Sequence, residues 1–243
     1  MNPILFTAAA SASKVMLSQH VRANNMAQAN TVGFKSVMER TEPVYRSGDG
    51  FLTSVTSRSN STAIDFTNGE LSQTGRPLDV AINGDGFFAV RGQDGEENYT
   101  RAGNIKASST GELSINHHAL LGVDGQPLVL PENQSLTISN QGIITVVANG
   151  GGAGIEVGQI KLVNPDTKNL SLNTSGTFSS SAPLAASPDV VIASEYLESS
   201  NVSAISEMIG VMTATRQYEM QVKMMKAADQ LISTGNKLIS ARG

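Results

Sequence analysis

Any catalysis or metal binding by this 243-residue chain would have to come from three histidines, some carboxylates and many serines, because it has no cysteine. A serine nucleophile needs a base beside it. None of His20, His117 and His118 stands in a setting such as a nucleophile elbow. His20 falls within an N-terminal helical pattern, and the His117-His118 pair falls at a strand end or hairpin, so all three read as structural. Asp94-Gly95-Glu96-Glu97 is acidic but lacks the alternating ligand spacing of a calcium loop, and it reads as a solvated turn. Gly84, Gly86 and Gly92 superficially suggest a phosphate loop. The residues that follow form a Phe-rich strand pattern, not the helix whose N-terminus would hold a phosphate. No catalytic, cofactor-binding or metal-binding residue is assigned, and no cofactor is expected.

Composition narrows the class further. Apolar residues make up 40% of the chain and charged residues 16%, which is globular rather than disordered. A net charge of -4 and a pI near 5.4 lack the basic footprint that phosphate backbones require, so no nucleic-acid partner is expected. No run approaches the roughly 18 to 20 apolar residues of a membrane span. Met1 to Ser11 carries no Lys or Arg ahead of its short Ala-rich run, so no cleaved secretory signal is read.

The pattern of elements predicts an α+β fold, with a helix, a β-rich body and a second helix. Leu5, Ala8, Ala12, Val15, Gln19, Arg22 and Met26 recur at spacings of three and four, an amphipathic stripe interrupted by Gln19 and Arg22. Gly33 is expected to end this region with a positive φ. Val37 to Thr74 is rich in Ser, Thr, Asn and Gly and reads as an extended arm with short strands near Val44 and Phe66. From Leu78 onward, short alternating segments separated by turn residues predict a small all-β domain. There, Asn83-Gly84-Asp85-Gly86 reads as the turn that returns strand 78–82 into Phe87-Phe88-Ala89-Val90.

Near the C-terminus, Val211, Tyr218, Met225, Ile232 and Ile239 recur every seven residues, the signature of a helix packed along another helix. Met208 and Val222 widen that stripe, and Asp229 and Asn236 fall on the line beside it. Met208, Met212, Met220, Met224 and Met225 offer an adaptable packing surface, because the thioether chain is flexible and polarisable. Asn201 and Ser203 are both candidate caps, with Glu207 near the capping-box position for a helix capped by Ser203. The boundaries read as an N-terminal assembly helix over 1–35, a connecting arm over 36–77, a β domain over 78–195 and a C-terminal assembly helix over 196–243.

Four segments resemble signatures of flagellar rod and hook proteins. Ala23-Asn24-Asn25-Met26-Ala27-Gln28-Ala29-Asn30-Thr31-Val32-Gly33-Phe34-Lys35 is similar to ANNLAN-x-x-T-x-GFK, with Met26 in place of the usual Leu. Leu78 to Phe88 is similar to the DVAI-x-G-x-GFF stretch, Tyr99-Thr100-Arg101-Ala102-Gly103 to the YTR-x-G element, and Leu197 to Val202 to the LE-x-SNV entry of the C-terminal helix. The segment between GFK and DVAI is short, as in the proximal-rod member; the distal-rod member has a longer one. The alternatives are a distal-rod paralogue, another rod or hook member, or a secreted, non-enzymatic β-rich interaction module.

The resemblance implies a non-enzymatic subunit of the periplasm-crossing rod, exported by the flagellar type III apparatus without a cleaved signal. Such subunits assemble helically around a central channel with their paired terminal helices innermost. The implied partners are proximal and distal rod proteins and further copies of the chain, with no membrane insertion. Asn24, Asn25, Gly33 and Phe34 are the expected assembly-motif residues, and Val211, Tyr218, Met225, Ile232 and Ile239 the expected packing line of the C-terminal helix.

Overall fold

The computed structural model describes residues 3–45, 55–92, 94–131, 135–147 and 154–240, without the side chains of 3, 4, 41–62, 168, 236 and 238–240. The chain is α+β and divides into two compact units. One contains Met1–Ala29, Ser36–Asp65 and Val202–Gly243, and the other contains Asn30–Lys35 and Phe66–Asn201.

The first unit is built on two helices, α1 (Pro3–Ala27) and α2 (Ala204–Ser240). At 37 residues, α2 extends about 55 Å. Ser203 caps it by accepting the Ser206 amide at 3.4 Å. Glu207 is not the capping-box partner; its carboxylate instead pairs with Arg22 of α1 at 3.2 Å. The helices run antiparallel, since Gln19 meets Thr215 while the later Arg22 meets the earlier Glu207. Every residue of the predicted α1 stripe is buried or half-buried, including the polar Gln19 and Arg22. Those two are not interruptions but the polar end of the seam.

The same unit holds an antiparallel ribbon of Val37–Tyr45 and Val55–Ile64, with a register shift between Arg40 and Thr41. The Ser-rich stretch Ser57 to Thr62, read from sequence as part of an extended arm, is strand. Its backbone pairs along the ladder, which low apolar content does not forbid. Residues 46–54 lie outside the described residues.

The second unit is β-rich. Its core joins Val80, Phe88, Val90, Leu120, Ile144 and Ile160 with further aliphatic residues of the same unit. Phe87–Arg91 is central, pairing with Glu97–Thr100, His118–Leu120 and Leu162–Val163. Val80–Asn83 does not pair with Phe87–Arg91 as the turn signal at Asn83 to Gly86 suggested. It pairs with Val191–Ser194, so that signal marks a passage between sheets. The reason is burial. Val80, Ala81 and Ile82 are all buried, and so are Phe87 to Val90, so both segments are interior strands that need cover on both faces. A three-stranded sheet of Ser135–Ile138, Ile143–Val147 and Ile155–Gln159 completes the main body. Phe66, placed near a strand by sequence, instead closes an aromatic trio with Phe87 and Phe178 at centroid distances of 5.5 to 5.9 Å.

Candidate assembly site

The helix seam comes first. Val211, Met225 and Ile232 are half-buried on one face of α2, whereas Tyr218 on the same line is 37% exposed. The side chain of Ile239 lies outside the described residues. The partner line is not the one through Asp229 and Asn236. It runs through Glu207, Ala214, Gln221 and Ala228, offset by three and four residues from the first, with Ala214 and Ala228 buried. On α1 the buried apolar residues, among those described, are Ala8 and Ala12. Small residues on both helices let the backbones approach closely, and a search for large apolar residues passes over them.

The seam uses only part of the apolar surface. Phe6 is 68% exposed, Ile205 74% and Leu231 75%, and Ile209, Met212, Met220 and Met224 are also exposed. Within its own unit, α2 thus carries a second apolar side that its pairing with α1 does not cover.

Of the asparagine pair, Asn24 is exposed and Asn25 is buried. Asn25 Nδ2 donates to the Val37 carbonyl at 2.9 Å, and its Oδ1 accepts the Val37 amide at 3.0 Å. One side chain thereby ties the end of α1 to the first residue of the ribbon.

Gly33 has φ of +66°, yet it is not the cap of α1, which ends at Ala27. Its amide donates to the Glu198 carbonyl at 2.8 Å. A Cβ there would lie 2.4 Å from the Arg101–Ala102 backbone, so the glycine serves close approach within the β-rich unit. Phe34 is half-buried, and its carbonyl accepts the Asn201 amide.

Beside Gly33 lies a cluster that the motif search did not single out. Lys35 Nζ donates to Glu198 Oε1 at 2.7 Å, to the Thr67 carbonyl at 2.8 Å and to Asn68 Oδ1 at 3.4 Å. Glu198 Oε1 also accepts the Gly69 amide, and Glu198 Oε2 lies 3.4 Å from Arg101 Nη1. Arg101 Nη2 donates to Asn68 Oδ1 and to the Gly84 carbonyl, while its guanidinium sits 5.3 Å from the centroid of the Phe87 ring. All three charged side chains are at most 2% exposed. Burial pulls the Arg101 guanidinium below the ordinary arginine value, and Glu198 and then Asp85 push it back up. The cluster joins the Lys of the GFK segment, the Arg of YTR and the Glu of LE. Each of these charged residues stands in a motif visible in the sequence, but no spacing within any one motif points to the other two.

Among the described residues, the three histidines stand in separate settings. His20 is exposed on α1, His117 has φ of +70° in the turn after Leu113–Ile115, and buried His118 contacts the Arg91 carbonyl through Nδ1. Glu97 of the acidic turn is paired with Lys161 at 2.8 Å. Among the described residues no group of His, Asp and Glu could hold a metal, and no helix is long and apolar enough to cross a membrane.

Comparison with known proteins accounts for this geometry. Residues 81–146 match the flagellar hook protein FlgE/F/G D1 domain, and residues 193–238 match the C-terminal part of flagellar basal body rod FlgEFG proteins. The flagellar basal-body rod protein FlgF of Salmonella typhimurium is 34% identical over 99% of both chains, as is that of Escherichia coli. The flagellar basal-body rod protein FlgG of Caulobacter vibrioides is 32% identical over 97% of this chain and 99% of its own. The likeness covers 99% of the chain, and the chain belongs to the flagellar basal-body rod protein family, a structural subunit of the rod.

Proposed function

We propose that this chain occupies the proximal part of the rod and is not an enzyme. It assembles helically through α1 and α2 around a central channel, transmits torque, and reaches its site through the flagellar type III export apparatus without a cleaved signal. Its neighbours are copies of itself and other proximal and distal rod proteins. The observation that carries this reading is the second apolar side of α2, with Ile205, Ile209 and Leu231 all more than half exposed. Surface of that kind on a folded chain marks an interaction face, and its place on the terminal helix fits a subunit whose ends are covered by neighbours. The short segment between Lys35 and Asp79 favours the proximal position over the distal one.

The test is complementation. In a strain that lacks its own proximal rod protein of this type, the full chain should restore rod completion and swimming. A version ending at Asn201 should fold its β-rich unit and restore neither. Full restoration by the shortened chain would refute assembly through the C-terminal helix.

A further inference from the structure

The peptide chain passes between the two units at four places, between residues 29 and 30, 35 and 36, 65 and 66, and 201 and 202. On the β-rich side, the segments beginning or ending at these places are bonded to one another around Glu198, through its carboxylate and through nearby backbone carbonyls. Lys35, the last residue before one crossing, donates to Glu198 Oε1. Gly69, three residues after another, donates its amide to the same oxygen. Gly33, in the segment between the first two crossings, donates to the Glu198 carbonyl, and Asn201, at the last crossing, donates to the Phe34 carbonyl. Arg101 anchors the group to the β core through Oε2, Gly84 and the Phe87 ring.

We infer that Lys35, Glu198 and Arg101 form the anchor through which tension on any of the four crossings reaches the β body. Stability alone does not explain such a cluster, because well-packed apolar residues of equal volume usually do as well as a buried ion pair or better. What the cluster supplies is register and sharing. Two donors from separate segments, Lys35 Nζ and the Gly69 amide, converge on one carboxylate oxygen while Arg101 pairs with the other by charge, so the alignment of those segments is fixed and a pull on one is resisted by the bonds of the others. Lys35 and Arg101 are thus positioning residues for the crossings. The mechanical role rests on the rod reading; the shared anchoring does not.

Amide hydrogen exchange on the purified full-length chain tests it, independently of whether the chain enters a rod. In Lys35→Met, and separately in Glu198→Gln, the amides of Gly33, Gly69, Ser199 and Asn201 should lose protection together, by about tenfold or more. Leu121 and Leu128, whose amides bond within the β core, should keep theirs. Loss confined to Gly69, the one of these amides bonded to the carboxylate itself, would show a local ion pair and overturn the proposal. Parallel loss at Leu121 and Leu128 would show an ordinary core element and overturn it equally. Lys35→Met leaves the Arg101–Glu198 contact in place, so it keeps the test decisive if Glu198→Gln does not fold. For variants that do assemble, swimming in viscous medium should fall more steeply than swimming in dilute medium.

Discussion

Lys35 Nζ lies 2.7 Å from Glu198 Oε1, joining residues 163 positions apart where both side chains are 1% exposed. Removing one member of a buried pair costs about 3–5 kcal/mol, because the other is left without compensation. The loss here is expected to be unequal. Lys35→Met leaves Glu198 facing Arg101, whereas Glu198→Gln leaves two buried cations. Denaturant unfolding should find Glu198→Gln the more destabilising, and the double variant should cost less than the sum of the two. Equal and additive losses would show that Arg101 does not share the carboxylate.

Gly33→Ala should cost at least about 2 kcal/mol, combining positive-φ strain with a collision against backbone that has no room to move. Gly75 provides the comparison: its φ of +71° is similar, but a Cβ there meets nothing within 4 Å. Gly75→Ala should therefore lose only the strain, about 1 kcal/mol. Thermal melting of both variants would separate crowding from conformation, and equal shifts would contradict the close approach.

The two adjacent asparagines should separate cleanly. Asn25→Ala removes both bonds to the half-buried backbone of Val37, at about 1–3 kcal/mol. Asn24→Ala, on the exposed side of the helix, should stay within about 0.5 kcal/mol of the parent. Unfolding measurements on the single variants would check this, and comparable losses would mean that Asn24 has a role its exposure does not reveal.

How legible these features were in the sequence follows from their physics. The α1 stripe was readable because a helix repeats its buried face every three to four residues whether the residue is Ala8 or Arg22. One line of α2 was readable through Met225 and Ile232. Its companion was not, because Ala214 and Ala228 bury well without looking hydrophobic. The turn at Asn83 to Gly86 was located correctly but not its consequence, since turn residues specify a local change of direction and leave the partner strand to the core. The Lys35–Glu198–Arg101 cluster joins distant positions, and no local pattern encodes such a pairing. Asn25 had a readable residue type, but its bond to Val37 depends on how the chain comes back after α1.

Tyr99 gives the fold a pH dependence at the alkaline end. Burial raises its phenol from 10.0 to about 12, opposed by the Leu184 amide that donates to Oη at 3.0 Å and reinforced by Glu97. A raised acid pKa means that the fold favours the neutral phenol. Its contribution is complete below pH 10 and is lost as pH rises from about 10 to about 12. Phenolate absorbance should show Tyr99 titrating late. Tyr99→Phe should abolish that titration and cost about 1 kcal/mol at neutral pH through the lost bond to Leu184. Stability that declined identically in the variant between those pH values would place the effect elsewhere.

Leu231 isolates the proposed covering of the outward apolar side of α2 by neighbours in the rod. This side chain is 75% exposed, so Leu231→Asp should leave the melting of the purified chain within about 0.5 kcal/mol of the parent. Buried in an assembled interface, the same carboxylate would be a desolvated charge without a partner. The decisive measurement is the amount of this chain in basal bodies purified from cells that export parent and Leu231→Asp forms equally. The account predicts that the variant is exported but nearly absent from the rod. Incorporation at the parent level would show that this side of α2 faces solvent in the assembly and would contradict the account.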